Sequence, residues 1–184
     1  MEQGVTQLIA LFDELFATSY NTRLVAGSGE PIYLPADAQT PYNQVVFAHG
    51  YFASALHEVA HWCVAGAERR LCEDFGYWYR PDGRTSAQQS EFEQVEVKPQ
   101  ALEWIFTLAS KRQFYASADN LSGDAHDDSR FRFAVAKQAR QYMQQGLPER
   151  AATWAYTLQQ EFGGEWAMAN FSWPDEPLAS LSLK

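Results

Sequence analysis

Between residues 5 and 18, Leu8, Ile9, Phe12, Leu15 and Phe16 recur at helical spacing around the acidic pair Asp13 and Glu14, which predicts an amphipathic helix packed on a core. Residues 27–41 are rich in Gly, Pro and Asp and enclose a short apolar run, Ile32-Tyr33-Leu34, that reads as a strand. Residues 45–65 are mostly apolar, with helix expected from about Ser54, Gly66 as its terminator and Glu68, Arg69 and Arg70 as a polar exit. Aromatics alternate across residues 75–80 and meet Pro81-Asp82-Gly83, so a strand or hairpin arm is expected there.

Residues 85–90 read as polar loop. Ser90 followed by Glu93 matches a capping box opening a short helix, and Pro99 suits the first turn of a helix over residues 100–110. A further strand is expected at residues 114–117, ahead of the turn-rich residues 119–128. Two helices, 130–145 and 149–162, are separated by Gly146-Leu147-Pro148, and no period is visible after Gly163. This order predicts an α+β fold: one domain over residues 1–184, with several helices packed around a small sheet.

Composition narrows the class. Hydrophobic residues make up 46% and aromatics 15% of the 184 residues, enough for a proper core and too many for a disordered chain. A net charge of −9 argues against a nucleic-acid backbone as the main partner. Cys63 and Cys72 have no C-x-x-C spacing, so neither a disulfide framework nor a thiolate zinc cluster is suggested; Cys63 reads as a small core residue. Glu2, Asp13 and Glu14 interrupt any leader-like run, and no stretch approaches the roughly 18 apolar residues of a membrane span. A soluble protein of the reducing cytoplasm is expected.

The chemistry lies in Ser54-Ala-Leu-His-Glu-Val-Ala-His-Trp62, a His-Glu-x-x-His signature. His57 and His61, four residues apart on a helix, lie on one face and can reach a single metal ion, with that face expected to border a cleft. A metzincin would need Gly at position 64 and His at position 67, where this chain has Val64 and Ala67. A zinc peptidase or nuclease with Glu58 as general base still fits the spacing. A binding module with structural metal fits less well, because the thiolates that usually close such a site are missing.

Two imidazoles need a further donor. Glu93 is explained by the Ser90 cap, and Glu103 reads as the solvated side of a helix whose apolar face holds Leu102, Ile105, Phe106 and Ala109. Glu96 sits between Val95 and Val97, where an unpaired carboxylate would be costly to bury, so Glu96 is the expected third ligand. His49 reads as a buried, hydrogen-bonded imidazole and His126 as surface. Residues 119–124 look like a cation loop, but Leu121 breaks the alternation an EF-hand requires.

The motifs Phe47-Ala-His-Gly-Tyr51, Ser54-Ala-Leu-His-Glu-Val-Ala-His-Trp62 and Asp74-Phe-Gly-Tyr-Trp-Tyr79 followed by Pro81-Asp-Gly-Arg84 resemble those of the bacterial elongation factor P hydroxylases. So do Phe92-Glu93, Val95-Glu-Val-Lys-Pro-Gln-Ala-Leu-Glu-Trp104 and Asp119-Asn-Leu-Ser-Gly123, and the likeness covers most of residues 20–150. The resemblance implies a metal-dependent, monooxygenase-type hydroxylation of a protein lysine: the lysine of elongation factor P that already carries a β-lysyl group. It implies non-haem Fe(II) held by two histidines and a carboxylate, with molecular oxygen as co-substrate. Glu58 would then tune the metal site or orient substrate. An ammonium-bearing substrate calls for acidic and aromatic walls, for which Tyr77, Tyr79 and Asp119 are the candidates.

Overall fold

The computed structural model describes residues 1–75, 85–117 and 129–167. Helix α1 (Val5–Phe16) buries Val5, Leu8, Phe12 and Phe16 and leads into strand β1 (Thr22–Ala26). Strands β2 (Ile32–Leu34) and β3 (Asn43–Phe47) complete a three-stranded sheet of order β1-β3-β2. The central β3 pairs parallel with β1, Val25 opposite Val46, and antiparallel with β2, Tyr33 opposite Val45. Helix α2 (Phe52–Val64) packs between β3 and the long helix α3 (Ser86–Ala109), which also carries α4 (Ser129–Gln145) and α5 (Glu149–Phe162). The fold is thus α+β, helices around a small mixed sheet. No helix among the described residues is long and apolar enough to cross a membrane.

The core is aromatic where α1 meets α2. Trp62 lies with its ring centroid 4.9 Å from Phe16, 5.2 Å from Phe12 and 5.4 Å from Tyr20, all edge-on, the arrangement that aligns positive ring edges with negative faces. The Arg150 guanidinium covers the same indole at 4.5 Å. Its Nη2 also donates to the carbonyls of Cys63 and Ala65, and Arg70 Nη1 donates to Ala65 as well. Helix α2 therefore stops at Val64, with Ala65 extended and arginines satisfying its last carbonyls, in place of a cap by Gly66. Cys63 is buried as expected.

Several expectations need correction. Ser86–Ala109 is one helix, not a loop and two short helices. Thr85 is its N-cap: the Thr85 hydroxyl accepts from Gln88 N, and the Gln88 side chain accepts from Thr85 N at 3.1 Å. Ser90 and Glu93 lie inside it, and Gln89, not a cap, donates to Glu93 at 3.1 Å. Pro99 sits mid-helix. The ring removes one ladder hydrogen bond, at a cost of about 3 kcal/mol. Burial of Pro99, Gln100, Ala101, Leu102, Ile105 and Phe106 against three other helices outweighs that local loss. Residues 114–117 form no strand; Phe114 stacks on Trp104 at 5.1 Å, and the Gln100 side chain bonds both the N–H and the carbonyl of Ser117.

Strands β1 and β3 add to the one strand, Ile32–Leu34, expected in this region. Asp74 bridges Tyr33 at the sheet edge. The expected arm continuing through residues 76–80, the turns at 119–128 and His126 lie outside the described residues.

Candidate metal centre

Helix α2 is held at its amino end by groups remote in sequence. Its N-cap, Tyr51, makes no side-chain cap, and Glu2 Oε2 accepts from Phe52 N at 2.9 Å in its place. The Glu2 carboxylate also pairs with Arg112, whose guanidinium lies 3.7 Å over the Phe52 ring. Ser54 Oγ accepts from Ala48 N, closing the turn through the left-handed His49 and Gly50. His49 is exposed and contacts Tyr51 edge-on; among the described residues it is not the buried, hydrogen-bonded imidazole expected.

One side of α2 buries Phe52, Ala55, Leu56, Val59 and Ala60, which leaves half-buried His57 and His61 facing α3. Their Nε2 atoms are 3.0 Å apart. From α3, Glu96 brings Oε1 to 3.2 Å from His61 Nε2 and Oε2 to 3.7 Å from His57 Nε2. The donor atoms of His57, His61 and Glu96 all lie within 4.8 Å of one another, so they could hold one ion. Two nitrogens and one carboxylate converging on a point match the donor set preferred by divalent first-row metals. Glu96 is 4% exposed, and its neighbours are the two imidazoles and Gln100 Nε2 at 3.4 Å.

Glu103 departs from the expected solvated face. Its Oε2 lies 2.8 Å from Nδ1 of His57, and the carboxylate is largely buried. Glu93 is not in this cluster. The signal that would have found Glu103 is its spacing from Glu96, two turns along one helical face with Gln100 between them.

Electrostatics follow from this packing. Burial opposes a charge on His57, but Glu103 first, then Glu96 and Glu58, outweigh it and raise the imidazole well above its ordinary value. Burial would raise Glu96, yet His61, His57 and the Gln100 amide hold it down to about 2. Glu58 moves the other way: desolvation dominates and raises its carboxyl, only partly offset by the two histidines. Glu58 and His61 border a cleft walled by Ile32, Tyr33 and Trp62, with Arg69 neutralised there by Asp74. Among the described residues Glu58 has no hydrogen-bond partner. Tyr77, Tyr79 and Asp119, the expected substrate residues, lie outside the described residues.

Comparison with known proteins bears on what this arrangement is for. A family model described as elongation factor P hydroxylase matches residues 11–171, which include His57, His61, Glu96 and Glu103. The elongation factor P lysine hydroxylase of Haemophilus influenzae is 56% identical over 153 residues, 83% of this chain and 86% of that protein. The chain belongs to the elongation factor P hydroxylase family.

Proposed function

We propose that this protein is a metal-dependent hydroxylase of a lysine of elongation factor P, the β-lysyl-modified lysine, working in the cytoplasm. The observation that carries the metal reading is the convergence of His57 Nε2, His61 Nε2 and the Glu96 carboxylate within 4.8 Å, on a helix pair that the family match covers. Non-haem Fe(II) is the ion that fits the reaction: bound by three protein donors, it supplies open coordination positions and the redox capacity to use molecular oxygen. The overall change inserts one oxygen atom into a C–H bond, the other leaving as water with two electrons from an external reductant and two protons.

The protein's own groups divide the remaining work. His57, His61 and Glu96 would bind the ion through two neutral rings and one carboxylate. Glu58 faces the cleft beside His61 and orients the substrate side chain there, as an acceptor for its N–H donors. The apolar walls Ile32, Val45 and Trp62 exclude water around that arm. Tyr77, Tyr79 and Asp119 are proposed to contribute the aromatic and acidic contacts to the ammonium groups.

The test is anaerobic loading of the purified protein with Fe(II), followed by exposure to oxygen with β-lysylated elongation factor P and a reductant. A mass gain of one oxygen on the modified peptide, dependent on iron, is expected. Zinc-supported cleavage of a peptide or nucleic acid, with no mass gain on elongation factor P, would establish a hydrolase in its place.

A further inference from the structure

Glu103 supplies no atom to the ligand set, yet it makes the shortest contact to either histidine from outside it, 2.8 Å to His57 Nδ1. We propose that Glu103 is a positioning residue for the metal centre: it accepts the Nδ1–H of His57, selects the tautomer that leaves Nε2 free, and fixes the angle of the ring. This rests on the metal reading above.

A neutral imidazole carries its proton on one nitrogen only, so the group that accepts from Nδ1 decides whether Nε2 can donate to a cation. Here the two nitrogens face different carboxylates: Nδ1 meets Glu103, and Nε2 lies 3.7 Å from Glu96 and 3.0 Å from His61 Nε2. The Glu103 side chain is 13% exposed, so its bond to the ring is weakly screened and stronger than a surface pair. Among the described residues no lysine or arginine pairs with Glu103, which leaves the carboxylate committed to His57. Its backbone is equally committed, because Leu102, Trp104, Ile105 and Phe106 around it are all buried. A carboxylate behind a ligating histidine also makes the ring a better donor.

Zinc is the probe. Wild-type, Glu103→Gln and Glu103→Ala proteins are titrated with Zn(II) against a competing chelator, and the metal-free forms are melted in parallel. Glu103→Ala is expected to bind Zn(II) about 10- to 100-fold more weakly. Glu103→Gln keeps an oxygen acceptor at the same reach but not the charge, so it should fall between the two. In zinc-loaded wild-type protein the His57 Nδ1–H should give a downfield proton resonance that shifts in Glu103→Gln and is lost to solvent exchange in Glu103→Ala. Wild-type zinc affinity in both variants overturns the proposal, as does a loss that merely tracks lower stability of the metal-free fold. Zinc binding that survives His57→Ala would instead remove the metal reading itself, and this proposal with it.

Discussion

Glu96 and Glu103 address one imidazole from its two ends. Both project from the same face of α3, and His57 lies between them, with Nε2 toward Glu96 at 3.7 Å and Nδ1 against Glu103 at 2.8 Å. His61, one turn further along α2, meets Glu96 alone. One carboxylate thus faces both rings while the other backs only the first.

Replacement of either histidine is expected to empty the site without unfolding the protein. In His57→Ala or His61→Ala, iron content by elemental analysis and hydroxylation of elongation factor P should both be lost, with far-ultraviolet circular dichroism unchanged. Both rings are half-buried and lie outside the aromatic core, so their loss leaves no large cavity, and the cost falls on their carboxylate partners Glu96 and Glu103. Full metal occupancy with normal turnover in either variant would contradict the assignment.

Glu96→Gln should keep the fold but lose most bound iron and all hydroxylation. The amide preserves shape and its contact with Gln100 but removes the charge that faces His57 and His61. Metal analysis after gel filtration, alongside a urea denaturation curve, checks both halves. Retained iron would place the carboxylate outside the ligand set.

Glu58→Gln is expected to lower turnover more than metal content. Its carboxylate borders the cleft beside His61 and is absent from the converging donor set. Parallel measurement of iron stoichiometry and hydroxylation rate separates the two effects, and unchanged kinetics would reduce Glu58 to helix surface.

Acid should weaken the anchor at the amino end of α2. The Glu2 carboxyl is held below its ordinary value of 4.5, first by the hydrogen bond from Phe52 N and then by Arg112. A lowered folded value means that the ionised carboxylate stabilises the fold above pH 4.5, and that this contribution fades as pH falls through the folded value. The pair is more than a third exposed, so solvent screening limits the effect to under about 1 kcal/mol. Urea denaturation of Glu2→Gln and wild type from pH 7 to pH 3 should show the two curves converging at the acid end. A constant gap across that range would mean the charge is irrelevant.

Trp62→Ala should destabilise the protein by about 3–5 kcal/mol, because its indole fills the space among Phe12, Phe16 and Tyr20. Trp62→Phe should cost much less: the indole N–H it removes is buried with no acceptor among the described residues. Denaturant midpoints of the metal-free proteins give both values. Equal losses would show that the ring N–H, not the packing, is what the site uses.

Much of the architecture was legible from periodicity. Helices α1, α4 and α5 each bury one stripe, so their hydrophobic spacing marked them out, and the His-Glu-x-x-His spacing located the two rings of α2. The meeting of Glu96 with those rings followed from the cost of a bare carboxylate between Val95 and Val97, and Glu96 is indeed buried. Helix α3 was hidden for the opposite reason. It contacts α2, α4 and α5, so its apolar residues run nearly all round and leave no single stripe. Pro99 then read as a start, and Glu103 as solvated, when burial on several sides overrides both signals. In β3, Val45-Val46-Phe47 is too short an apolar run for its period to distinguish strand from helix.

The seven-residue step from Glu96 to Glu103 limits how the chain can change length. A residue inserted between them would rotate one carboxylate by about 100° relative to the other, and an insertion between His57 and His61 would do the same to the rings. No single compensating substitution restores both, because each helix presents its groups as a set. Insertions and deletions are therefore excluded from the segments that carry these residues, whose length is as constrained as their chemistry.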